Sequence, residues 1–214
     1  MSIVAYYARL NAAQIEQFSS DPSTLESGAE PGIEIIDVDR AYEPVAWLLS
    51  ERKRAEQAHW AMLMRDMESR EPVRRSFLAR IARRFQKKQA FQSSAALDAK
   101  AAAAEAIEMD SLVVAIEGRS ENRDERFELG LDPPAVFTPD EVAMLSSALQ
   151  EVQPAALEQQ FNPSLMDDMS VFPQHWQEEG RELMDTYVIP AFVRLQAFYR
   201  DAHAEGQHVL VWYE

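Results

Sequence analysis

The chain opens and closes on the same kind of pattern. Ser2-Ile3-Val4-Ala5-Tyr6-Tyr7-Ala8-Arg9-Leu10 is rich in β-branched and aromatic residues, and Gln207-His208-Val209-Leu210-Val211-Trp212-Tyr213 is a mostly apolar run. Both predict strands, because such side chains suit a pleated, half-buried surface. Between them the apolar positions recur at three and four, the period of a helix. The pattern predicts one α+β domain, with a small sheet that takes both terminal strands and several helices packed on it.

Local signals mark many of the helix ends. Asn11 followed by Gln14 reads as a capping box, and Ile15 and Phe18 give that short helix an inward side. Residues 19–32, with Ser, Asp, Pro and Gly throughout, read as a loop. Behind the run Ile33–Asp39, the residues Tyr42, Val45, Ala46 and Leu49 make another inner face. Asp110–Gly118 suits either a strand or the last turn of a helix, and 119–126 is a polar loop. Thr138-Pro139-Asp140-Glu141 starts a helix with sound chemistry: Thr caps, Pro takes the first turn and Glu reaches back. Val142, Leu145 and Leu149 form its stripe. A shorter helix is expected from near Pro154 to Phe161, then a loop with one short turn over 162–173. The last helical region runs from Trp176 to Ala204, with Pro190 kinking or splitting it. Its apolar side is Tyr187, Phe192, Leu195, Phe198 and Tyr199, and Gly206 stands where a terminator belongs.

From about 51 to 108 the character changes. Trp60, Leu63, Met64 and Met67 carry a helical period that stops near Pro72. Val73, Phe77, Leu78, Ile81 and Phe85 line one side of a basic helix at 73–88, and an alanine-rich helix covers about Ala95–Ile107. These stretches predict a helical insertion within the domain, whose core is 1–50 and 109–214.

Composition and charge narrow the function. An apolar content of 47% over 214 residues predicts a folded chain. There is no cysteine, which excludes disulfides, thiolate metal sites and a Cys nucleophile. Met1 to Leu10 has no basic region of the kind that opens a secretory signal, and no apolar run approaches a bilayer's width. The expectation is a cytoplasmic protein. The net charge is −15, but residues 65–92 hold nine Lys/Arg against three acids, so the remainder carries −21. Such a body repels nucleic-acid phosphates and attracts a basic protein.

The ordered landmarks resemble the YfbM-like family of bacterial proteins, whose function is unknown. They are Ile3-Val4-Ala5-Tyr6-Tyr7; Asp37-Val38-Asp39-Arg40-Ala41-Tyr42 with Leu48-Leu49; Phe137-Thr138-Pro139-Asp140-Glu141-Val142; Gln160-Phe161-Asn162-Pro163; Val171-Phe172-Pro173; and Phe198-Tyr199-Arg200 with Gly206-Gln207-His208-Val209-Leu210. The resemblance implies a compact α+β domain and brings no active site to carry across. It covers 1–50 and 109–214. At 51–108 the chain departs from it, where the family implies a short connection containing glycine.

No catalytic residue and no metal ligand set emerges, and no cofactor is implied. The four histidines, His59, His175, His203 and His208, have no zinc-ligand spacing, and Gly-x-Ser-x-Gly and glycine-rich phosphate loops are absent. Asp37 and Asp39 would share one face of a strand, and paired carboxylates can hold a cation or move a proton. The favoured reading is that Asp39 caps the next helix, since no His or Cys stands nearby in sequence. Trp176 beside His175 reads as a core edge with its ring nitrogen satisfied. Asp167-Asp168 and Glu178-Glu179 read as solvated acids that matter only within a larger negative patch.

The leading expectation is a non-enzymatic, acidic, protein-binding protein. Its sharpest form is a bacterial immunity protein or antitoxin neutralising a basic toxin. Its contact residues would be Asp37, Asp39, Asp167, Asp168, His175, Trp176, Glu178 and Glu179. One alternative is an enzyme or small-molecule binder with a site near Asp37, Asp39 and His175. The other is membrane-surface association through the basic helix 73–88.

Overall fold

A computed structural model describes residues 3–20, 33–69, 110–118, 122–127 and 129–214. Four strands, β1 (Ala5–Leu10), β2 (Glu34–Asp37), β3 (Ala135–Phe137) and β4 (His208–Tyr213), form one antiparallel sheet in the order β2-β1-β4-β3. The two terminal strands are central neighbours, pairing from Ala5 opposite Tyr213 to Leu10 opposite His208. The fold is α+β, as the pattern predicts. The basic helix expected at 73–88 and the alanine-rich segment at 95–107 lie outside the described residues.

Alternation along the central strands divides the interior in two. Ala5, Tyr7, Val209 and Val211 face the larger cluster with most of the helices. Ala8, Leu10, Leu210 and Trp212 face the opposite side, where Ile15 and Phe18 of α1 (Ala12–Ser20) close over them with Phe127 and Leu129. Asn11 and Gln14 cap α1 reciprocally at 2.8 and 2.9 Å.

Helix α2 (Tyr42–Leu49) departs from the expected single inner face. Val45, Ala46, Trp47 and Leu48 are all buried, because the helix is wedged among α3 (Glu51–Ser69), α4 (Ser111–Glu117), α6 (Pro154–Gln160) and α9 (Ile189–Ala204). Ser50 then starts α3: its hydroxyl accepts the Lys53 amide at 3.0 Å and donates to Asp110. Arg54 folds back to donate to the Trp47 and Leu48 carbonyls at the end of α2.

The segment 111–117, open between strand and helix on pattern alone, is the helix α4. Its last carbonyls have no helical partners, and three tyrosines from distant elements satisfy them. Tyr7 donates to Ile116, Tyr199 to Ala115 at 2.7 Å and Tyr213 to Glu117 at 2.8 Å. Gly118 follows with φ 69°, and a Cβ there would meet the Ala135 Cβ at 2.9 Å. A side chain at 118 would push β3 away from α4.

The Thr138 capping box opens α5 (Pro139–Glu151) as expected, with Val142, Leu145 and Leu149 buried. The short turn expected within 162–173 is a six-residue helix, α7 (Pro163–Asp168). Asn162 accepts the Leu165 amide at 3.1 Å and Pro163 sits in the first turn, where its missing N–H costs nothing. The final region changes its winding just before Pro190 without a break in the helix. α8 (Trp176–Leu183) passes through a π-helical turn, Met184–Val188, into α9. Gly206, at φ 62°, closes α9: its amide bonds His203 O at 3.0 Å while the Gln207 amide bonds Ala202 O at 2.9 Å, a Schellman motif.

Candidate functional site

Strand β2 ends at Asp37, so Asp37 and Asp39 do not share a strand face. Asp39 takes a left-handed conformation, φ 48°, which aspartate tolerates better than most residues. The expected cap on α2 is therefore corrected. The residue before that helix is Ala41, with no side-chain cap, and backbone carbonyls of the turn take the amides there: Ala41 N–H to Val38 O and Glu43 N–H to Arg40 O. The Asp39 carboxylate instead accepts the Tyr187 hydroxyl proton at 2.9 Å. That hydroxyl also accepts the Arg40 amide at 3.0 Å. Partial burial, then the contact with Asp39, raises the Tyr187 pKa well above the ordinary phenol value, so it stays a donor.

Asp37, Asp39, Tyr187, Pro190 and Arg194 border a shallow cleft of about 220 Å³. The Arg194 guanidinium donates to the Asp37 backbone oxygen at 3.0 Å. His175 does not line it. It precedes α8, where its carbonyl accepts the Glu178 and Glu179 amides. This cleft thus does not bring His175 together with Asp37 and Asp39. Among the described residues no group of three or more His, Asp or Glu is arranged to hold a metal ion.

Arg40 links this cleft to the acidic helices. Its guanidinium lies 3.9 Å from the centre of the Phe172 ring and bonds Glu43 at 3.1 Å, and Glu43 accepts the Phe172 amide at 3.1 Å. Beyond Phe172, Asp167 performs the capping that Asp39 does not. Its two carboxylate oxygens accept the Trp176 and Gln177 amides at 2.9 and 3.0 Å, fixing α8 onto α7. Desolvation opposes its ionisation, but those amide bonds outweigh it and hold the carboxyl below its usual range. Trp176 is core, with its indole N–H donating to Val171 O at 2.9 Å and its ring edge-on to Phe161. It cannot touch a partner in this state.

Asp168, Glu178, Glu179, Glu182 and Asp185 are exposed around α7, α8 and the π-turn, and Glu158 joins them from α6. Between 132 and 185 the chain has eleven acids and one base, Arg181, which lies 3.4 Å from Glu158 and 3.0 Å from Asp185. The pattern singled out Asp168, Glu178 and Glu179 among these exposed acids, but not Glu158, Glu182 or Asp185. It missed Arg40, Glu43 and Tyr187, whose spacing in sequence carries no signal for contacts across 129 to 148 residues.

The model of a domain of unknown function, DUF1877, matches residues 1–212. The chain belongs to this family. A solved structure titled as a protein of unknown function, YfbM from Escherichia coli, superposes with a TM-score of 0.54 at 16% identity, covering 98% of each chain. At that identity the likeness shows the fold alone, and it agrees with the YfbM-like resemblance carried by the ordered landmarks. No curated protein matches the chain. This DUF1877 member has no helix among the described residues long and apolar enough to cross a membrane.

Proposed function

We propose that this DUF1877 protein is a non-enzymatic binding protein that presents an acidic helical face to a basic protein. The observation behind this is the run of exposed carboxylates on α6, α7, α8 and the π-turn, elements whose one Lys or Arg is Arg181, seated on a packed core. Surface acids contribute little to stability one by one, yet together they steer a cationic partner and speed its capture. The immunity or antitoxin role, with a basic toxin met in the cytoplasm, is the sharpest form of this reading. Asp168, Glu178 and Glu179 would meet the partner directly, with Asp167 holding their scaffold.

Affinity purification from the native cell tests it. The expected result is one basic protein whose association rate falls steeply with salt. The triple variant Glu178→Lys, Glu179→Lys, Glu182→Lys should slow capture by about tenfold or more while the fold is kept. If a neighbouring gene encodes a basic toxin, co-expression should rescue growth. Absence of tight binding at moderate salt would end the proposal.

A further inference from the structure

A second cleft, of about 420 Å³, opens between the ends of α4, β3 and β4. That volume lies within the roughly 300–1,000 Å³ of small-molecule sites. Its walls combine Tyr42 and Tyr213, ring edge to ring face at 5.2 Å, with Ile3, Leu131 and Val211. Ile3 and Leu131 are among the few large apolar side chains left exposed, at 40% and 57%, and both stand on this rim. Two ion pairs border the same space. Lys53 Nζ meets Glu117 at 2.6 Å with both side chains mostly shielded, and Arg123 meets Asp132 at 3.0 Å nearer solvent.

We propose that this cleft is a binding site for a small zwitterion with an apolar body, of the amino-acid class. The two ion pairs carry the choice of ligand. A plain anion that took Lys53 or Arg123 would strip Glu117 or Asp132 of its partner, and a plain cation would do the reverse. For the shielded Lys53–Glu117 pair, leaving one charge unpaired costs more than the new contact returns. A zwitterion brings both charges and leaves no group unpaired. Its apolar body covers the aromatic wall and the exposed rim, where burial of apolar surface adds to the affinity. Burial lifts the Glu117 carboxyl above its usual range while Lys53 pulls it down, so this pair is held in a site that water screens poorly. The cleft's rigid side comes from the three tyrosine hydroxyls that end α4 and from the close approach at Gly118.

Calorimetric titration of the full chain with L-phenylalanine tests the assignment, with 3-phenylpropionate and phenethylamine as its single-charge analogues. Saturable binding of phenylalanine is expected, with each analogue about tenfold or more weaker. Leu131→Asp and Arg123→Gln alter exposed positions and should keep the melting temperature while lowering phenylalanine affinity by about tenfold. L-Leucine, as a second zwitterion, guards against a ring-specific fit. No saturable binding of either amino acid in the millimolar range would overturn the proposal. So would analogues that bind as tightly as phenylalanine, or both variants retaining full affinity. The outcome is independent of whether the acidic face has a partner.

Discussion

The acidic face and the Lys53–Glu117 cleft handle charge in opposite ways. On α7 and α8 the carboxylates other than Asp167 sit in water, where a single exposed pair contributes about 0–1 kcal/mol and salt screens it. Arg181 there is shared between Glu158 and Asp185, and its side chain is 64% exposed. In the cleft, Lys53 and Glu117 keep only 28% and 19% of their side-chain exposure, and each is the other's direct ionic contact. The face works by number over distance, whereas the cleft works by pairing at contact. The acidic surface can therefore tolerate replacement of single residues, and the cleft cannot.

The strongest way to break that contrast is Lys53→Met. Glu117 would then be shielded without its cation, with Glu43 and Glu56 adding repulsion. A loss of about 2 kcal/mol at neutral pH is expected, below the roughly 3–5 kcal/mol of a fully buried pair because some exposure remains. The pH dependence has a definite sign. The folded-state pKa of Glu117 is already raised, so its contribution is present at low pH and fades as pH rises through that value. Removing Lys53 raises the pKa further, so the gap between variant and wild type should open as pH climbs from the acid range to neutral. Urea unfolding across pH checks it. A gap of constant size would mean that Lys53 acts through packing alone.

Tyr199→Phe comes next and concerns neutral donors instead of ions. It removes the hydroxyl that satisfies the Ala115 carbonyl in a fully buried place. An unsatisfied buried acceptor costs about 1–3 kcal/mol, so the melting temperature should drop clearly. Tyr187→Phe, at the half-exposed Asp39 contact, should cost less, because water can replace the lost bond. Equal losses at the two positions would show that burial does not set the cost.

What could be read from the sequence follows from range. The Asn11–Gln14 box, the Thr138–Glu141 box and Gly206 each act within a few residues, and the structure has all three. The terminal strands were legible from their own composition, because Tyr7, Val209 and Val211 need a buried sheet face wherever they pair. Asp39 went the other way. Its position before a helix suggests a cap, but a left-handed turn and Tyr187, 148 residues on, reassign its carboxylate. The short strand β3 and the tyrosines that end α4 are likewise products of tertiary contact, with no local pattern to announce them. Asn162-Pro163 did carry a start signal for α7 that the neighbouring prolines obscure.

The smallest expected effect falls on the acidic face itself, at Asp167. This residue is the exception there, since its carboxylate acts by geometry: two amides of α8 point at its two oxygens. Asp167→Ala should cost about 1 kcal/mol, the usual worth of such a cap. Its folded pKa is lowered, so the contribution is present above the ordinary carboxyl value and is lost as pH falls through the folded one. Asp167→Asn keeps one oxygen acceptor but turns its NH2 toward the second amide, so it should recover only part of the stability at neutral pH. Thermal unfolding of the three proteins side by side decides it. If Asn fares as badly as Ala, one oxygen is not enough and the cap needs both, and the acidic face then commits this carboxylate to its own stability as well as to a partner.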